Sequence, residues 1–235
     1  RRKSVRFHTN AMRLVFGEND LLPGLIVDQY AEVVVIKIYS SMWLPYASII
    51  HDCLIKRLKP QAIVLRGSRN VIKSLNIHYP ESVEVTYGKL TEPKVEFHEY
   101  GVRFFAHLIK GHKTGFFLDH RVNRNKVGAM ASGKTVLDVF AYAGGFGIHA
   151  LVGGAREVTS LDISAQALEL AKKNASLNEY SGKHITLVGD AFALLKQLIA
   201  KGKTYDLIVI DPPSFAKNAD GVTLALNKYG QLASL

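Results

Sequence analysis

Four short apolar segments alternate with helical segments in the second half of the chain, and each carries an aspartate at its end or just after it. The apolar segments lie at 136–140, 158–161, 185–188 and 207–210, and the helical segments at 147–152, 165–177 and 191–198. Apolar strands that alternate with helices are typical of a parallel sheet covered by helices on both faces. The sequence therefore predicts an α/β fold over residues 109–235: a doubly wound, Rossmann-like sheet that stops after its fourth strand and leaves an unpaired edge.

The first of these strands runs into a loop with three glycines, in the passage Val136-Leu-Asp138-Val-Phe140-Ala-Tyr142-Ala-Gly144-Gly145-Phe-Gly147. Glycines let the backbone pass close to a ligand, and the helix that follows offers free N–H groups. Asp138 would repel a pyrophosphate and attract a cation. The spacing also differs from the G-x-G-x-x-G fingerprint, which disfavours an NAD-linked oxidoreductase. We expect a positively charged, nucleotide-like ligand, namely S-adenosylmethionine, or else a strand–helix turn without a ligand.

Two further acids follow the next two strands. Asp162 can accept hydrogen bonds from both hydroxyls of a ribose, and Asp190 can accept one from an adenine amino group. Ligands of open α/β sheets bind outside the carboxyl ends of the strands, where these acids are expected. The alternative is structural, because aspartate is also a good N-cap of a helix.

The fourth acid opens the sequence Asp211-Pro212-Pro213-Ser214-Phe215. Consecutive prolines make a rigid turn with exposed carbonyl groups. A carboxylate and a proline carbonyl can together hold the exocyclic amine or ring N–H of a base, while Phe215 can stack on the face of that base. Asp211, Pro212 and Phe215 are therefore candidate catalytic residues, and a plain strand-terminating turn is the alternative.

Residues 1–108 predict a separate, small α+β domain. Strands are expected at about 13–16, 25–28, 33–39 and 62–65, a hairpin at 96–105 turning at Gly101, and little pattern is visible between 66 and 94. An amphipathic helix is predicted between Pro45 and Lys59. The spacing of Ile49 and Cys53 on that helix predicts that Cys53 is buried.

The charge of the chain suits a polyanionic partner. Thirty Lys and Arg outnumber 20 Asp and Glu, for a formal net charge of +10. Such a balance favours nucleic acid binding, although a merely soluble basic protein is the alternative.

The single cysteine suits a reducing cytosol and therefore a cytoplasmic location. No apolar run approaches the ~20 residues that a membrane span needs. The spacing of His107, His112 and His120 matches no metal site.

Three passages carry a resemblance to class I S-adenosylmethionine-dependent methyltransferases, and within them to the bacterial large-subunit ribosomal RNA cytosine-C5 methyltransferase family. They are Phe16-Gly-Glu-Asn-Asp20-Leu-Leu-Pro23-Gly24-Leu-Ile-Val-Asp28-Gln-Tyr30, then Lys113-Thr-Gly-Phe-Phe-Leu-Asp119-His-Arg121-Val-Asn-Arg124, and Leu137-Asp138 to Gly147 together with Asp211-Pro-Pro-Ser-Phe-Ala-Lys217. The similarity covers nearly the whole chain, and the first two passages are much more specific than the third.

The resemblance implies roles for individual residues. Asp138 and Gly144 would hold the methionine end of the cofactor, Asp162 the ribose and Asp190 the adenine, with Arg121 near the cofactor's carboxylate. Residues 1–105 would help to grip ribosomal RNA. The full predicted cofactor-binding set is Arg121, Asp138, Phe140, Tyr142, Gly144, Gly145, Asp162, Ile163, Asp190, Ala191 and Asp211.

The chain departs from that family pattern in two ways. An N-terminal RNA-binding PUA domain is not present, nor are the last strands of the sheet, which carry the nucleophilic cysteine. Methylation of C5 of cytosine needs a thiolate that first adds to C6, and the predicted burial of Cys53 argues against that role for it. We therefore interpret the chain as a fragment of a longer RNA methyltransferase without an evident nucleophile of its own.

Two other functions stay open. One is methylation of an exocyclic amine of guanine or adenine in RNA, which needs no cysteine. The other is a non-catalytic RNA-binding module with a decayed cofactor site. A homodimer is compatible with the sequence, and no metal is expected.

Overall fold

A computed structural model describes residues 7–68, 71, 83–111, 113–216 and 219–235. The chain divides into two compact units, with the boundary between His120 and Arg121. That boundary lies later than the predicted one after residue 108. The reason is that the segment after residue 112 packs in the first unit, where the hydroxyl of Tyr30 contacts the Thr114 hydroxyl at 2.9 Å and accepts a hydrogen bond from the Phe116 N–H at 3.1 Å.

Within the described residues, the first unit contains a five-stranded sheet, an α-helix that packs on it and a separate hairpin. Its elements are β1 (Ala11–Phe16), β2 (Leu25–Tyr30), β3 (Val33–Ile38), α1 (Ala47–Leu58), β4 (Ala62–Gly67), β5 (Val83–Gly88), β6 (Lys94–Glu99) and β7 (Val102–His107). The sheet order is β1-β2-β3-β4-β5. Only β3 and β4 run parallel within that sheet, because α1 forms the crossover between them. The hairpin β6–β7 turns at residues 100–101, as predicted.

One face of this sheet packs against α1. Ile50, Leu54 and Leu58 of the helix lie against a core that includes Val34, Ile36 and Ile63. The helix ends where Lys59 adopts a left-handed φ of 49° and Pro60 follows, so that it cannot continue.

The prediction that Cys53 is buried is wrong, since Cys53 is exposed. Ile49 is 65% exposed as well. Residues that follow Ile50 at steps of four form the stripe that meets the sheet, and this stripe turns Ile49 and Cys53 toward solvent. The i, i+4 spacing therefore predicts the helix correctly, but the structure buries the face with Ile50 and Leu54 and not the face with Cys53.

The other face of the sheet is covered by aromatic side chains of the hairpin and of the segment after it. Phe97 contacts Tyr30, Phe104 and Phe116 with ring centroids 5.6, 5.7 and 5.0 Å apart. These contacts explain why the segment around Phe116 belongs to the first unit.

The strand β5 lies in the interval in which the sequence showed little pattern. It pairs antiparallel with β4 at the edge of the sheet, and its residues are at most half-buried. An edge strand exposed in this way carries no apolar run, which is why it was missed. Residues 69–70 and 72–82 of the same interval lie outside the described residues.

The second unit is an α/β domain with a four-stranded parallel sheet, so the predicted fold class is confirmed. Its elements are α2 (Arg121–Met130), β8 (Thr135–Val139), α3 (Gly145–Val152), β9 (Glu157–Asp162), α4 (Ala165–Ala175), β10 (Lys183–Val188), α5 (Ala191–Ala200), β11 (Leu207–Ile210) and α6 (Val222–Ser234). All strands of the order β10-β9-β8-β11 are parallel. Helix α6 was not predicted. The strand order reverses between β8 and β11, where sheets of this kind bind their ligands.

Candidate functional site

Backbone hydrogen bonds bring the carboxyl ends of all four parallel strands into one row. They run from Gly189 N to Asp162 O (3.0 Å), from Ala141 N to Leu161 O (2.9 Å) and from Asp211 N to Val139 O (3.4 Å). The four aspartates that the sequence singled out therefore lie along one edge of the sheet. The row is called the acidic edge below, and it consists of Asp138, Asp162, Asp190 and Asp211.

Asp138 is the buried member of the acidic edge, with 1% of its surface exposed. Its Oδ2 accepts a hydrogen bond from the N–H of Gly147 at 2.9 Å, in the first turn of α3. A Cβ atom on Gly147 would lie 3.0 Å from Asp138 Oδ2 and 2.9 Å from Ser160 Oγ. Only glycine at this position therefore lets the helix N-terminus approach the carboxylate so closely.

The electrostatic environment of Asp138 disfavours its charge. Burial raises the pKa of Asp138 to about 7, and repulsion from the carboxylates of Asp211 and Asp162 acts in the same direction. The Gly147 N–H and the positive charge of Arg124 lower the pKa in part. The repulsion shows that these three carboxylates share one electrostatic environment, which favours a ligand that carries positive charge.

Asp162 connects the acidic edge to the glycine loop. Its Oδ2 accepts from the N–H of Tyr142 and its Oδ1 from the N–H of Ser164, both at 2.8 Å. A carboxylate has about four acceptor positions. Two backbone bonds therefore orient the side chain of Asp162 and leave it able to accept from two hydroxyl groups.

The loop from Phe140 to Gly144 is held in an unusual backbone conformation. Phe140, Tyr142 and Gly144 have φ values of 64°, 48° and 79°. Two bulky residues in the left-handed region cost free energy, and such strain concentrates at functional sites. The buried Asn174 also holds the loop, because its Nδ2 donates to the carbonyl of Ala143 at 3.0 Å. Gly144 is the N-cap of α3, and Gly145 is the first residue of that helix.

Asp190 is exposed and caps α5, since its Oδ1 accepts from the N–H of Ala193 at 3.0 Å. The structural alternative thus holds for this residue, and the cap does not use up its acceptor positions. Beside it, Ala191 is buried, while Ile163, which follows Asp162, is 73% exposed. An exposed isoleucine at the acidic edge offers an apolar surface on which a flat ring can lie.

Asp211 and Phe215 have different surroundings after β11. Asp211 is exposed and Pro212 is half-buried. The half-buried ring of Phe215 lies in an aromatic cluster, with centroid distances of 6.4 Å to Phe140, 6.1 Å to Phe192 and 5.0 Å to Tyr229. A base-stacking role for Phe215 stays a prediction, and its packing against Phe140 ties the turn after β11 to the glycine loop.

Arg124 is a further charged residue beside Asp138, and the predicted site residues do not include it. Arg124 is buried, with 3% of its surface exposed. Its positive charge lowers the pKa of Asp138. The predicted residue Arg121 is half-buried at the start of α2, one helical turn before Arg124. The i, i+3 spacing of the two arginines on one helix face is the sequence signal from which Arg124 could have been found.

Within the described ranges, no three His, Cys, Asp or Glu side chains are placed to hold a metal ion together. His112 lies outside those ranges. Similarly, no helix in the described part of the chain has the length and apolar character needed to cross a membrane.

The parallel sheet, the strained glycine loop and the acidic edge at the switch point together define a nucleotide-binding α/β domain. A model of the S-adenosylmethionine-dependent methyltransferase family matches residues 64–231. The chain belongs to this family. The acidic edge agrees with that cofactor, because its sulfonium and ammonium groups are positively charged.

Two curated relatives are similar to this chain over nearly its whole length. The chain is 43% identical over 229 residues to a ribosomal RNA large subunit methyltransferase of Deinococcus radiodurans, which covers 96% of this chain and 55% of the relative. It is 39% identical over 225 residues to ribosomal RNA large subunit methyltransferase I of Aeromonas hydrophila, covering 95% and 56%. The chain thus spans about half the length of the curated relatives it matches.

Solved structures give the same fold. A crystal structure of a methyltransferase complexed with SAH matches with a TM-score of 0.78 and 28% identity, over 92% of this chain and 56% of the other. A SAM-dependent methyltransferase from Streptococcus mutans matches with the same TM-score and 26% identity, over 97% and 61%.

Proposed function

We propose that the protein transfers a methyl group from S-adenosylmethionine to RNA, and that its target is C5 of a cytosine in large-subunit ribosomal RNA. The acidic edge beside the glycine loop carries the cofactor half of this proposal, because it combines ribose acceptors with an environment for a cation. The RNA half is supported by the net charge of +10 and by relatives that are named ribosomal RNA methyltransferases.

Individual residues are assigned as follows. Asp162 accepts the ribose hydroxyls, Asp190 the adenine amino group, and Asp138 with Gly144 holds the methionine end, while Arg121 faces the cofactor's carboxylate. The cofactor supplies an electrophilic methyl group on its sulfonium. The loop from Phe140 to Gly144 is already held by hydrogen bonds from two side chains, Asp162 and Asn174, so that little ordering is left to be done on binding.

Asp211 is assigned to the target base. Its exposed carboxylate follows β11 at the switch point, next to the strand that carries Asp138. There it would accept hydrogen bonds from the N3/N4 edge of cytosine and hold the ring in the orientation for methyl transfer. The rigid prolines that follow fix the direction of the chain at this point.

The test is methyl transfer from radiolabelled S-adenosylmethionine into ribosomal RNA by the intact protein. Asp211→Ala should reduce the rate on the order of 100-fold, because a misplaced base loses its reactive geometry. Glu179→Ala is the matched control, since this exposed carboxylate follows α4, at the opposite end of that helix from the acidic edge. Unchanged transfer by Asp211→Ala would remove the assigned role.

The target atom is tested with RNA that contains 5-fluorocytidine. Attack by a thiolate on C6 followed by methylation at C5 leaves an adduct that cannot lose fluorine, so a protein–RNA complex stable in detergent is expected. Methylation without an adduct would instead favour an exocyclic amine of guanine or adenine. Cofactor binding without any transfer would favour the non-catalytic RNA-binding module. Cys53→Ser tests the single cysteine of this sequence, which is exposed on α1. Loss of the adduct in this variant would identify Cys53 as the nucleophile, and an unchanged adduct would exclude it.

A further inference from the structure

The first unit contains a second site with its own chemistry, distant in sequence from the acidic edge. It is a cavity of 380 Å3, called the basic pocket below, whose walls include Arg13, Glu18, Lys37, Tyr39, Lys113 and Thr114. Its volume is in the range of pockets that bind small molecules or parts of larger ones.

The strand register concentrates positive charge at this pocket. Lys37 on β3 lies directly opposite Arg66 on the neighbouring β4, so that both side chains emerge on the same face of the sheet. The Nζ of Lys37 donates to the backbone carbonyl of Lys113 at 3.0 Å, which brings a second lysine to the same place. Arg13 joins them from β1.

Only part of this charge is neutralised within the described residues. Arg13 donates to both oxygens of the fully buried Asp28 at 2.8 and 2.9 Å, which accounts for one cation. Lys37 and Lys113 form no ion pair with a described carboxylate, and the wall contributes one further acid, Glu18. Burial, together with repulsion by Arg66 and Lys113, lowers the pKa of Lys37 to about 8, while the carboxylate of Asp28 acts in the opposite direction. The pocket therefore has an excess of positive charge that an anion would relieve.

Aromatic rings flank the same cations. The Lys37 Nζ lies 5.3 Å from the ring centroid of Tyr39, and the Arg13 guanidinium lies 5.1 Å from that of Phe16. Tyr39 and Phe16 are both 45% exposed, so each ring presents a face or an edge to solvent. Cations alternating with exposed aromatic rings are typical of surfaces that bind the backbone and the bases of single-stranded nucleic acid.

A larger cavity in the same unit lacks this character. Its volume is 770 Å3, but lysines and glutamates are mixed in its walls, among them Lys89, Lys94, Glu32, Glu92 and Glu96. Opposite charges cancel there, and the cavity has no preference for an anion.

We propose that the basic pocket binds a phosphodiester group of single-stranded RNA through Lys37, Lys113 and Arg13, with a neighbouring base stacked on Tyr39. This inference rests on the proposed function in one respect, that RNA is the substrate. It assigns the RNA contact to particular side chains, and the site lies outside the residues that hold the cofactor.

The test is anisotropy of a fluorescein-labelled single-stranded RNA of mixed sequence, titrated with the protein between 50 and 300 mM salt, roughly the range in which phosphate contacts are sensitive to salt. Lys37→Met and Lys113→Met should each weaken binding about fourfold near 0.15 M salt and reduce the slope of log K against log salt by about 0.7, the value for one phosphate of a single strand. Tyr39→Ala should weaken binding about tenfold and leave the slope unchanged, because stacking releases no counterion.

Lys56→Met is the matched control, because Lys56 is an exposed lysine on α1, which packs on the opposite face of the same sheet. It should keep the wild-type slope. Methionine preserves most of the packing of the lysine stem, and thermal unfolding of each variant verifies the fold. Lys37→Arg should restore the slope, which a purely structural role of Lys37 would not produce.

Unchanged affinity and slope in Lys37→Met and Lys113→Met would overturn the inference. So would tight binding of adenosine monophosphate or inorganic phosphate that Lys37→Met abolishes while RNA binding persists, because the pocket would then serve a free nucleotide or a free anion. Binding of S-adenosylmethionine is measured in parallel. Lysine-dependent RNA binding without cofactor binding would contradict the proposed function alone, and methyl transfer that is insensitive to both lysines would contradict the pocket alone.

Discussion

Asp138 shows how one residue combines a structural and a functional demand. Its carboxylate is buried under the N-terminus of α3, where the Gly147 N–H and the charge of Arg124 offset part of the loss of hydration. Burying an acid in this way is costly unless a positive charge is added nearby. A cationic cofactor would supply that charge, so its binding would stabilise the ionised form of Asp138.

The raised pKa of Asp138 predicts a specific dependence of stability on pH. Because the pKa rises from 3.8 in the unfolded chain to about 7, the folded protein holds an extra proton between these values. Stability therefore falls as pH increases through this window, and the full penalty applies above about pH 7. Asp138→Asn removes the penalty, and its melting temperature should exceed that of the wild type at pH 8.

The advantage should be on the order of 2–4 kcal/mol at pH 8 and should shrink toward zero near pH 4. Thermal unfolding in matched buffers at both pH values measures it, with Glu179→Gln as the control for an exposed carboxylate. A difference between variant and wild type that is the same at pH 4 and pH 8 would contradict the assignment. Cofactor affinity of the variant should meanwhile fall, since the carboxylate is lost.

At the scale of elements, helix α1 separates what periodicity can and cannot determine. The apolar spacing predicted a helix, and the structure has one at Ala47–Leu58. The spacing admits two apolar faces, one with Ile50 and Leu54 and one with Ile49 and Cys53. The sheet selects the first of these, because only one stripe of the helix can lie against it.

Two adjacent substitutions test this choice of face. Leu54→Ala should destabilise the protein by about 1–3 kcal/mol, because it removes apolar contacts with the sheet. Cys53→Ala should change the free energy of unfolding by less than about 0.5 kcal/mol, as expected for a surface position. Chemical denaturation of both variants gives the comparison. Equal losses at the two positions would show that α1 packs differently.

The parallel sheet of the second unit illustrates the opposite case, an element set that the sequence predicts well. Each of its four strands was placed within about two residues of its observed bounds, since buried parallel strands form apolar runs bounded by polar turns. Strand β5 and helix α6 were missed. The first is an exposed edge strand, and the second has only Ala225 and Leu232 fully buried, so neither carries a strong pattern.

For the molecule as a whole, the division into two units predicts which unit a bound cofactor stabilises. All residues assigned to S-adenosylmethionine lie in the second unit, from Arg121 onward. A ligand stabilises the structure that binds it, by about 2.7 kcal/mol at a concentration of 100 Kd. We expect slower amide hydrogen exchange in β8, β9 and the loop between Phe140 and Gly144 when the cofactor is added.

Hydrogen exchange followed by mass spectrometry measures this effect, and β2 and β3 of the first unit serve as the internal reference. Asp162→Ala should abolish most of the protection, because it removes both the ribose acceptor and the bond to Tyr142. Protection of the first unit instead of the second would place the cofactor site elsewhere. The cytoplasmic location and the homodimer stay predictions.

The sequence by itself determined the α/β class, the order of the elements in the second unit and the candidate acids, because these depend on local periodicity and on residue types at strand ends. Tertiary structure alone decided which face of α1 is buried, that Arg124 opposes Asp138, and that Lys37, Lys113 and Arg13 line one pocket with Tyr39. Such facts depend on how residues distant in the chain are brought together by strand register and packing. No local pattern encodes them, since the same spacing is compatible with several partners until the sheet forms.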